Sequence, residues 1–99
     1  MPYVSIMRLK GDPDQLMTTK QEKMDPVTMR VAPENGGMLH IAAKTDEGIV
    51  IVNLWETAEG SGATANDPEV AKAREESGIQ PEQIQLEHYE VEQFVQPSG

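Results

Sequence analysis

The sequence predicts one α+β domain, in which a four-stranded antiparallel sheet carries its helices on one face. Three observations predict this class: a length of 99 residues, the order of the strand-like and helix-like segments, and one hairpin whose side chains sort into two distinct faces. A chain of this length forms one core, since independent domains usually have about 50–200 residues. We expect the domain to span residues 1–96, with residues 97–99 as a disordered tail.

Glycine and Asp-Pro pairs divide the first third of the chain. Residues 3–10 mix apolar and polar side chains as a strand does, and Gly11 ends them. Asp12-Pro13 then supplies a helix N-cap followed by proline in the first turn, where its missing N–H costs nothing. Asp25-Pro26 falls inside the helix that follows. Because an internal proline removes a hydrogen bond and clashes with the preceding turn, we predict two helices, 13–24 and 26–32, with a loop over 33–37.

The rest of the chain predicts two more strands, a helix and a last strand. Residues 38–45 and 48–57 flank a turn at Asp46-Glu47. Asp67 caps a helix over 68–77 that Gly78 ends, and residues 84–95 form the final strand. The order is therefore β-α-β-β-α-β, the split βαβ arrangement of ferredoxin-like domains.

Residues 59–66 are small, polar and glycine-containing. Gly60 and Gly62 would each cost a helix about 1 kcal/mol relative to alanine. We therefore expect a mobile loop between the third strand and the second helix. Two roles stay open for it: a lid over a pocket beside Trp55, or a plain surface connector.

The hairpin predicts the two faces of the sheet. A two-residue turn places His40 opposite Asn53 and Met38 opposite Trp55. One face is then uniformly apolar, and we expect it to carry the helices. Its hairpin residues are Leu39, Ile41, Ala43, Val50, Val52 and Leu54. The other face mixes apolar and polar side chains, namely Met38, His40, Ala42, Ile51, Asn53 and Trp55.

The mixed face is too apolar for open solvent, and the chain has no further element to cover it. A second copy of the chain is the simplest way to bury this face. We therefore predict a homodimer in which two such faces enclose a small hydrophobic or aromatic ligand. His88 alternates with Ile84 and Leu86 and is expected to point the same way. The predicted ligand-binding residues are Trp55, Asn53, His40, Met38, Ile51 and His88.

Composition excludes several classes of function. A net charge of −9, without a cluster of Lys or Arg, disfavours nucleic acid and anionic membrane surfaces as partners. No signal-peptide pattern and no membrane-length apolar stretch is present, so we expect a cytoplasmic protein. Without cysteine there is no thiolate metal site, and two histidines in separate strands match no metal-ligand spacing. We predict neither a metal nor a cofactor.

Two segments resemble the dimeric α/β-barrel proteins, often called antibiotic-biosynthesis-monooxygenase-like. They are HIAAKTDEGIVIVNLWET, residues 40–57, and NDPEVAKAREESGI, residues 66–79. The resemblance implies two ferredoxin-like sheets paired into a barrel. The family includes cofactor-free quinone-forming oxygenases, haem degraders and proteins without a known reaction. In its oxygenases a Trp and an Asn hold the substrate and activate oxygen, and Trp55 and Asn53 match them; the helix at 68–77 lacks the histidine of the haem degraders.

Each candidate residue has a structural and a functional interpretation. Trp55 is either a core or interface aromatic or the wall of a ligand pocket. His40 is either a histidine satisfied by Asn53 or a general base towards a phenol or enol. His40 and Asn53 are accordingly the catalytic candidates. Two functions remain open: a small-molecule-binding protein without catalysis, and a cofactor-independent monooxygenase-like enzyme acting on a phenolic or quinone-like compound.

Overall fold

A computed structural model describes residues 1–97 of the chain. The strands are Tyr3–Lys10 (β1), Gly37–Lys44 (β2), Gly48–Trp55 (β3) and Ile84–Glu90 (β4). The helices are Pro13–Thr19 (α1), Asp25–Glu34 (α2), Ala58–Ala65 (α3) and Pro68–Ser77 (α4). The sheet is antiparallel with strand order β2-β3-β1-β4, which confirms the predicted ferredoxin-like fold. Within these residues no helix combines the length and apolar character needed to cross a membrane.

The hairpin register is as predicted over most of its length. The Thr45 N–H donates to the Gly48 carbonyl at 2.8 Å, and His40 lies opposite Asn53. The predicted pairing of Met38 with Trp55 is wrong, because the register shifts near the start of β2 and Gly37 takes that place. A Cβ on Gly37 would lie 2.9 Å from the Ala32 carbonyl oxygen, so only glycine lets β2 begin this close to α2.

The assignment of the helices to the uniformly apolar face is wrong. Leu16 and Met17 of α1 pack on Ile49 and Ile51, which belong to the mixed face. The β2 side of the apolar face stays open in the single chain, where Leu39 is 49% and Ile41 is 50% exposed, while Leu54 of β3 is buried. The same finding corrects the predicted dimer contact, because the mixed face is covered by the chain's own helices. We call the two sides the covered face and the open face.

The predicted break at Asp25-Pro26 is also wrong, since the chain stays helical from Pro13 to Glu34. A wide π-turn, Lys20–Met24, joins α1 to α2 and absorbs the proline. In a regular α-helix, side chains five positions apart lie about 140° apart around the axis. The π-turn brings Lys20 and Asp25 together, and the buried Lys20 Nζ donates to Asp25 Oδ1 at 2.7 Å.

Residues 58–65 form helix α3, so the predicted mobile loop, and with it the lid, is wrong. Thr57 caps α3 by accepting a hydrogen bond from the Gly60 N–H at 3.3 Å. A Cβ on Gly60 would lie 1.9 Å from the Asn35 carbonyl oxygen, whereas a Cβ on Gly62 meets nothing within 4 Å. Gly60 therefore permits close packing of α3 on the α2–β2 turn, at the expense of helix propensity.

The remaining elements largely follow the prediction. Asp67 caps α4 by accepting hydrogen bonds from the N–H groups of Glu69 and Val70, at 2.8 and 3.3 Å. Gly78 ends α4 in the left-handed conformation, with φ 75°. Strand β4 stops at Glu90, short of the predicted residue 95. Of the predicted tail, residues 98 and 99 lie outside the described residues.

Candidate functional site

Four polar side chains form one line across the covered face. Consecutive cross-strand partners join His40 of β2 to Asn53 of β3, Asn53 to Ser5 of β1, and Ser5 to His88 of β4. Directly opposed residues point to the same side of a sheet with Cβ atoms about 4.5–5.5 Å apart. We call these four residues the polar row. On a face whose neighbouring rows are mostly apolar, it is the main concentration of hydrogen-bonding groups.

His40 is held by its neighbour in the row. Its Nδ1 lies 2.5 Å from Asn53 Oδ1. Because a carbonyl oxygen can only accept, Nδ1 carries the proton, and in the neutral ring Nε2 is then a lone-pair acceptor. Nε2 is buried and has no hydrogen-bond partner within residues 1–97. Leaving a buried polar atom unpaired costs about 1–3 kcal/mol of folding free energy. A bound molecule that donates a hydrogen bond to Nε2 removes this cost, so the arrangement favours its binding.

Trp55 lies in the core of its own chain, where it is 4% exposed. Its Nε1–H donates to the Ser5 Oγ at 3.1 Å, and both residues are buried. This supports the core interpretation of Trp55 and places the indole ring next to the polar row. Ser5 was missed by the sequence reasoning. Its signal is visible only in the register, which places this small polar residue between Tyr3 and Met7 on the inward side of β1.

The row is open at its β4 end. His88 points to the covered side, as predicted, but it is exposed. Tyr3 stacks on His88 with ring centroids 5.8 Å apart and an interplanar angle of 26°. Next to them on the same side of β4, Leu86 is 53% exposed. Ile84 packs against the core, but the helices leave Leu86 and His88 uncovered, and this gap is the side from which a ligand could reach Ser5.

Two predicted ligand-binding residues lie away from the polar row. Met38 sits beside the register shift at the start of β2 and is exposed, while Ile51 is buried in the main core cluster with Leu9 and Leu16. Two surface depressions, of about 460 and 530 Å³, lie elsewhere. The first is lined by Asp12 and α1 residues, the second by the β2–β3 turn and the 3₁₀ turn at Pro81–Gln83 with adjacent strand ends.

The row has the chemistry of a small polar binding site. Nε2 of His40 is an acceptor, the Ser5 hydroxyl carries one donor, and the Asn53 amide carries two. No group of three side chains able to hold a metal ion occurs in the described part of the chain. The donors and acceptors of the row suit hydrogen bonding to an organic molecule, with proton transfer to His40 as an available step.

Comparisons with known proteins support the fold. No family model matches this sequence, and no curated protein matches it. The structure is similar to that of Rv0793 from Mycobacterium tuberculosis, with TM-score 0.73, 13% identity, and coverage of 97% of this chain and 100% of the other. It is similar to a dimeric ferredoxin-like protein of unknown function from Jannaschia sp., with TM-score 0.72, 14% identity, and coverage of 92% and 100%.

A third neighbour is SnoaB, a cofactor-independent oxygenase from Streptomyces nogalater. Its TM-score is 0.64 and its identity 13%, over 95% of this chain and 94% of the other. Neighbours of this fold thus include an oxygenase and proteins of unknown function. At these identities the likeness establishes the ferredoxin-like fold.

Proposed function

We propose that this protein is a homodimer whose polar row binds a small aromatic or otherwise hydrophobic molecule through a hydroxyl group. The observation that carries the proposal is the buried, unpartnered His40 Nε2. Asn53 holds the ring so that Nε2 accepts, and a ligand hydroxyl donates to it. An apolar ligand body suits the surroundings, because Trp55, Tyr3 and Met7 occupy the neighbouring positions on the covered face.

The side chains at the β4 edge, where we propose that the ligand enters, suit an aromatic molecule. Tyr3 and His88 already present stacked rings at this edge, and Leu86 adds an exposed apolar side chain. Flat molecules pack well against such rings in offset geometry. The exposed edge thus offers a flat molecule a path along the row.

The proposed homodimer uses the open face, instead of the covered face that the sequence suggested. Leu39 and Ile41 are half exposed there, on strands whose other open-face residues include Val50 and Val52. A contiguous exposed apolar surface of this kind is typical of an interface between proteins. A second copy matches it because a two-fold interface joins identical patches. The Jannaschia neighbour is described as dimeric.

The binding proposal is tested by calorimetric titration with 2-naphthol, a fused aromatic hydroxyl compound. We expect saturable binding to the wild-type protein and a loss of at least about fivefold in affinity for His40→Phe, which keeps a ring and removes the acceptor. His88→Phe is the matched control, and its affinity should change little. Equal affinity of wild type and His40→Phe would contradict the proposal.

A second candidate function is cofactor-independent oxygenation, favoured by the buried Nε2 of His40, which has no hydrogen-bond partner within residues 1–97. In this reaction Nε2 takes the phenolic proton and the resulting phenolate reacts with dioxygen. One phenol and one O₂ give one quinone and one water, so the substrate supplies all the electrons. Proton transfer of this kind suits a histidine near neutral pH.

Oxygen consumption with 1-naphthol separates the two functions. The enzyme interpretation requires one O₂ consumed for each 1,4-naphthoquinone formed, with the rate lost in His40→Phe. Binding of 2-naphthol without oxygen uptake from 1-naphthol would leave the non-catalytic binding protein as the function.

A further inference from the structure

We infer that Ser5 determines the specificity of the polar row, because its hydroxyl donates a hydrogen bond to an acceptor group on the molecule that His40 binds. The inference rests on the proposed binding function and adds a second anchor to it. It defines the ligand class as molecules that carry a hydroxyl at one end and a carbonyl-type acceptor at the other.

The Ser5 hydroxyl accepts one hydrogen bond within the chain and keeps its own proton to donate. Its oxygen accepts the Trp55 Nε1–H at 3.1 Å, and Ser5 is only 9% exposed. Since the indole N–H takes one lone pair, the hydroxyl proton must point elsewhere. Among the side-chain hydrogen bonds of residues 1–97, the one that involves the Ser5 hydroxyl is this accepted bond from Trp55. The hydroxyl therefore keeps a donor that can serve a ligand bound along the polar row.

The sheet fixes the separation of the two anchors. His40 lies on β2 and Ser5 on β1, with β3 and its Asn53 between them. Two strand spacings amount to about 9–10 Å between the backbones. A ligand that reaches both side chains is therefore longer than one aromatic ring. Both anchors stand on regular strands, so the spacing selects ligands by length as well as by polarity.

The competing explanation is purely structural, in which Ser5 only satisfies the buried indole N–H of Trp55. The two explanations differ in what they predict for ligands. A structural role would weaken every ligand alike when Ser5 is changed, because Trp55 would shift. A donor role weakens only ligands that carry the acceptor.

Three probes separate these roles: 6-acetyl-2-naphthol carries both groups, 2-naphthol the hydroxyl alone, and 2-acetylnaphthalene the ketone alone. Their affinities are measured by equilibrium dialysis against the full-length protein. For wild type we expect 6-acetyl-2-naphthol to bind tightest. Ser5→Ala should weaken both ketones about fivefold, the loss expected for one neutral hydrogen bond, and leave 2-naphthol unchanged. Ser5→Thr keeps the hydroxyl and should restore the ketone affinities.

Trp55→Phe gives an independent measurement if Ser5→Ala folds poorly. It keeps a ring but removes the N–H that orients the serine, so it should weaken the ketones more than 2-naphthol. A uniform loss for all three probes in Ser5→Ala, or no loss for any, would overturn the role of Ser5 while His40-dependent binding of 2-naphthol still stands. If 2-naphthol binding does not depend on His40, the proposed function fails and the inference fails with it.

Discussion

The two faces of the sheet differ in which side chains they bury: one holds polar residues beneath the helices, and the other leaves apolar residues exposed. The covered face holds His40, Asn53 and Ser5 under the helices, whereas the open face exposes about half of Leu39 and of Ile41. Apolar content alone therefore does not distinguish the two faces, because the covered face also buries the core residues Leu9, Ile49 and Ile51. A polar row that is partly buried beneath the helices suggests selection for what it binds, and an exposed apolar surface suggests selection for what covers it.

The energetic demands on the two faces also differ. On the covered face each buried polar atom needs a hydrogen-bond partner. Two such bonds join His40 to Asn53 and Trp55 to Ser5. The open face needs only the removal of water from apolar area, at about 25 cal/mol per Å². Changes on the covered face should therefore alter folding and ligand binding, and changes on the open face should alter association.

The largest expected effect is on the covered face, at Trp55. Trp55→Ala should lower the free energy of unfolding by about 3–5 kcal/mol, through lost burial and the cavity left behind. Trp55→Phe is the matched control: it keeps most of the buried ring, so its cost should be clearly smaller. Urea denaturation measures both. A loss below about 1 kcal/mol for Trp55→Ala would show that Trp55 is not part of the core.

The hairpin register could be predicted from sequence, but the covered face could not be chosen from it. Alternation alone separated Ile41 and Val52 from His40 and Asn53. Strands β1 and β2 are both antiparallel to β3 and hence parallel to each other, so the chain between them is a crossover. Such crossovers are almost always right-handed, and handedness fixes the side on which α1 and α2 lie.

The second expected effect is on the open face. Ile41→Lys places a charge in the middle of the exposed apolar surface, so it should convert the homodimer to a monomer. Size-exclusion chromatography with light scattering should give about twice the 10.9 kDa chain mass for wild type and the single mass for the variant. Thr18→Lys, on the exposed side of α1, adds the same charge away from the face and should leave the dimer intact. A monomeric wild-type protein would rule out the proposed association.

The candidate site was predictable in part, and its misses have physical causes. The pairing of His40 with Asn53 followed from the hairpin register, because both residues lie on strands joined by one short turn. Ser5 depends on the pairing of β1 with β3, a long-range contact that no local pattern reports. Met38 was misplaced because the register shifts between Gly37 and Leu39, and strand alternation alone does not predict such a shift.

The third expected effect compares two glycines within α3, which covers the Trp55 end of the sheet. Gly60→Ala should cost about 1–3 kcal/mol, because the added Cβ overlaps the Asn35 carbonyl oxygen. Gly62→Ala should instead stabilise the protein by about 1 kcal/mol, since its Cβ meets open space and alanine favours a helix. Thermal denaturation of both variants checks the opposite signs. Stabilisation by both would mean that residues 58–65 do not pack as described.

The smallest expected effect concerns Tyr89, on the open face of β4. Its hydroxyl donates to Glu87 Oε1 at 3.1 Å, and this bond, with the negative charge of Glu87, raises the pKa of Tyr89. The resulting stability is fully present below the ordinary tyrosine pKa and is lost as the pH rises through the raised value.

Ultraviolet titration in a Tyr3→Phe, Ile41→Lys background isolates Tyr89 in the monomer, and Glu87→Gln should lower its pKa. With Ile41 restored, loss of water at the dimer interface should raise the pKa of Tyr89 further. An identical pKa in monomer and dimer would place Tyr89 outside the interface and restrict the association to β2 and β3.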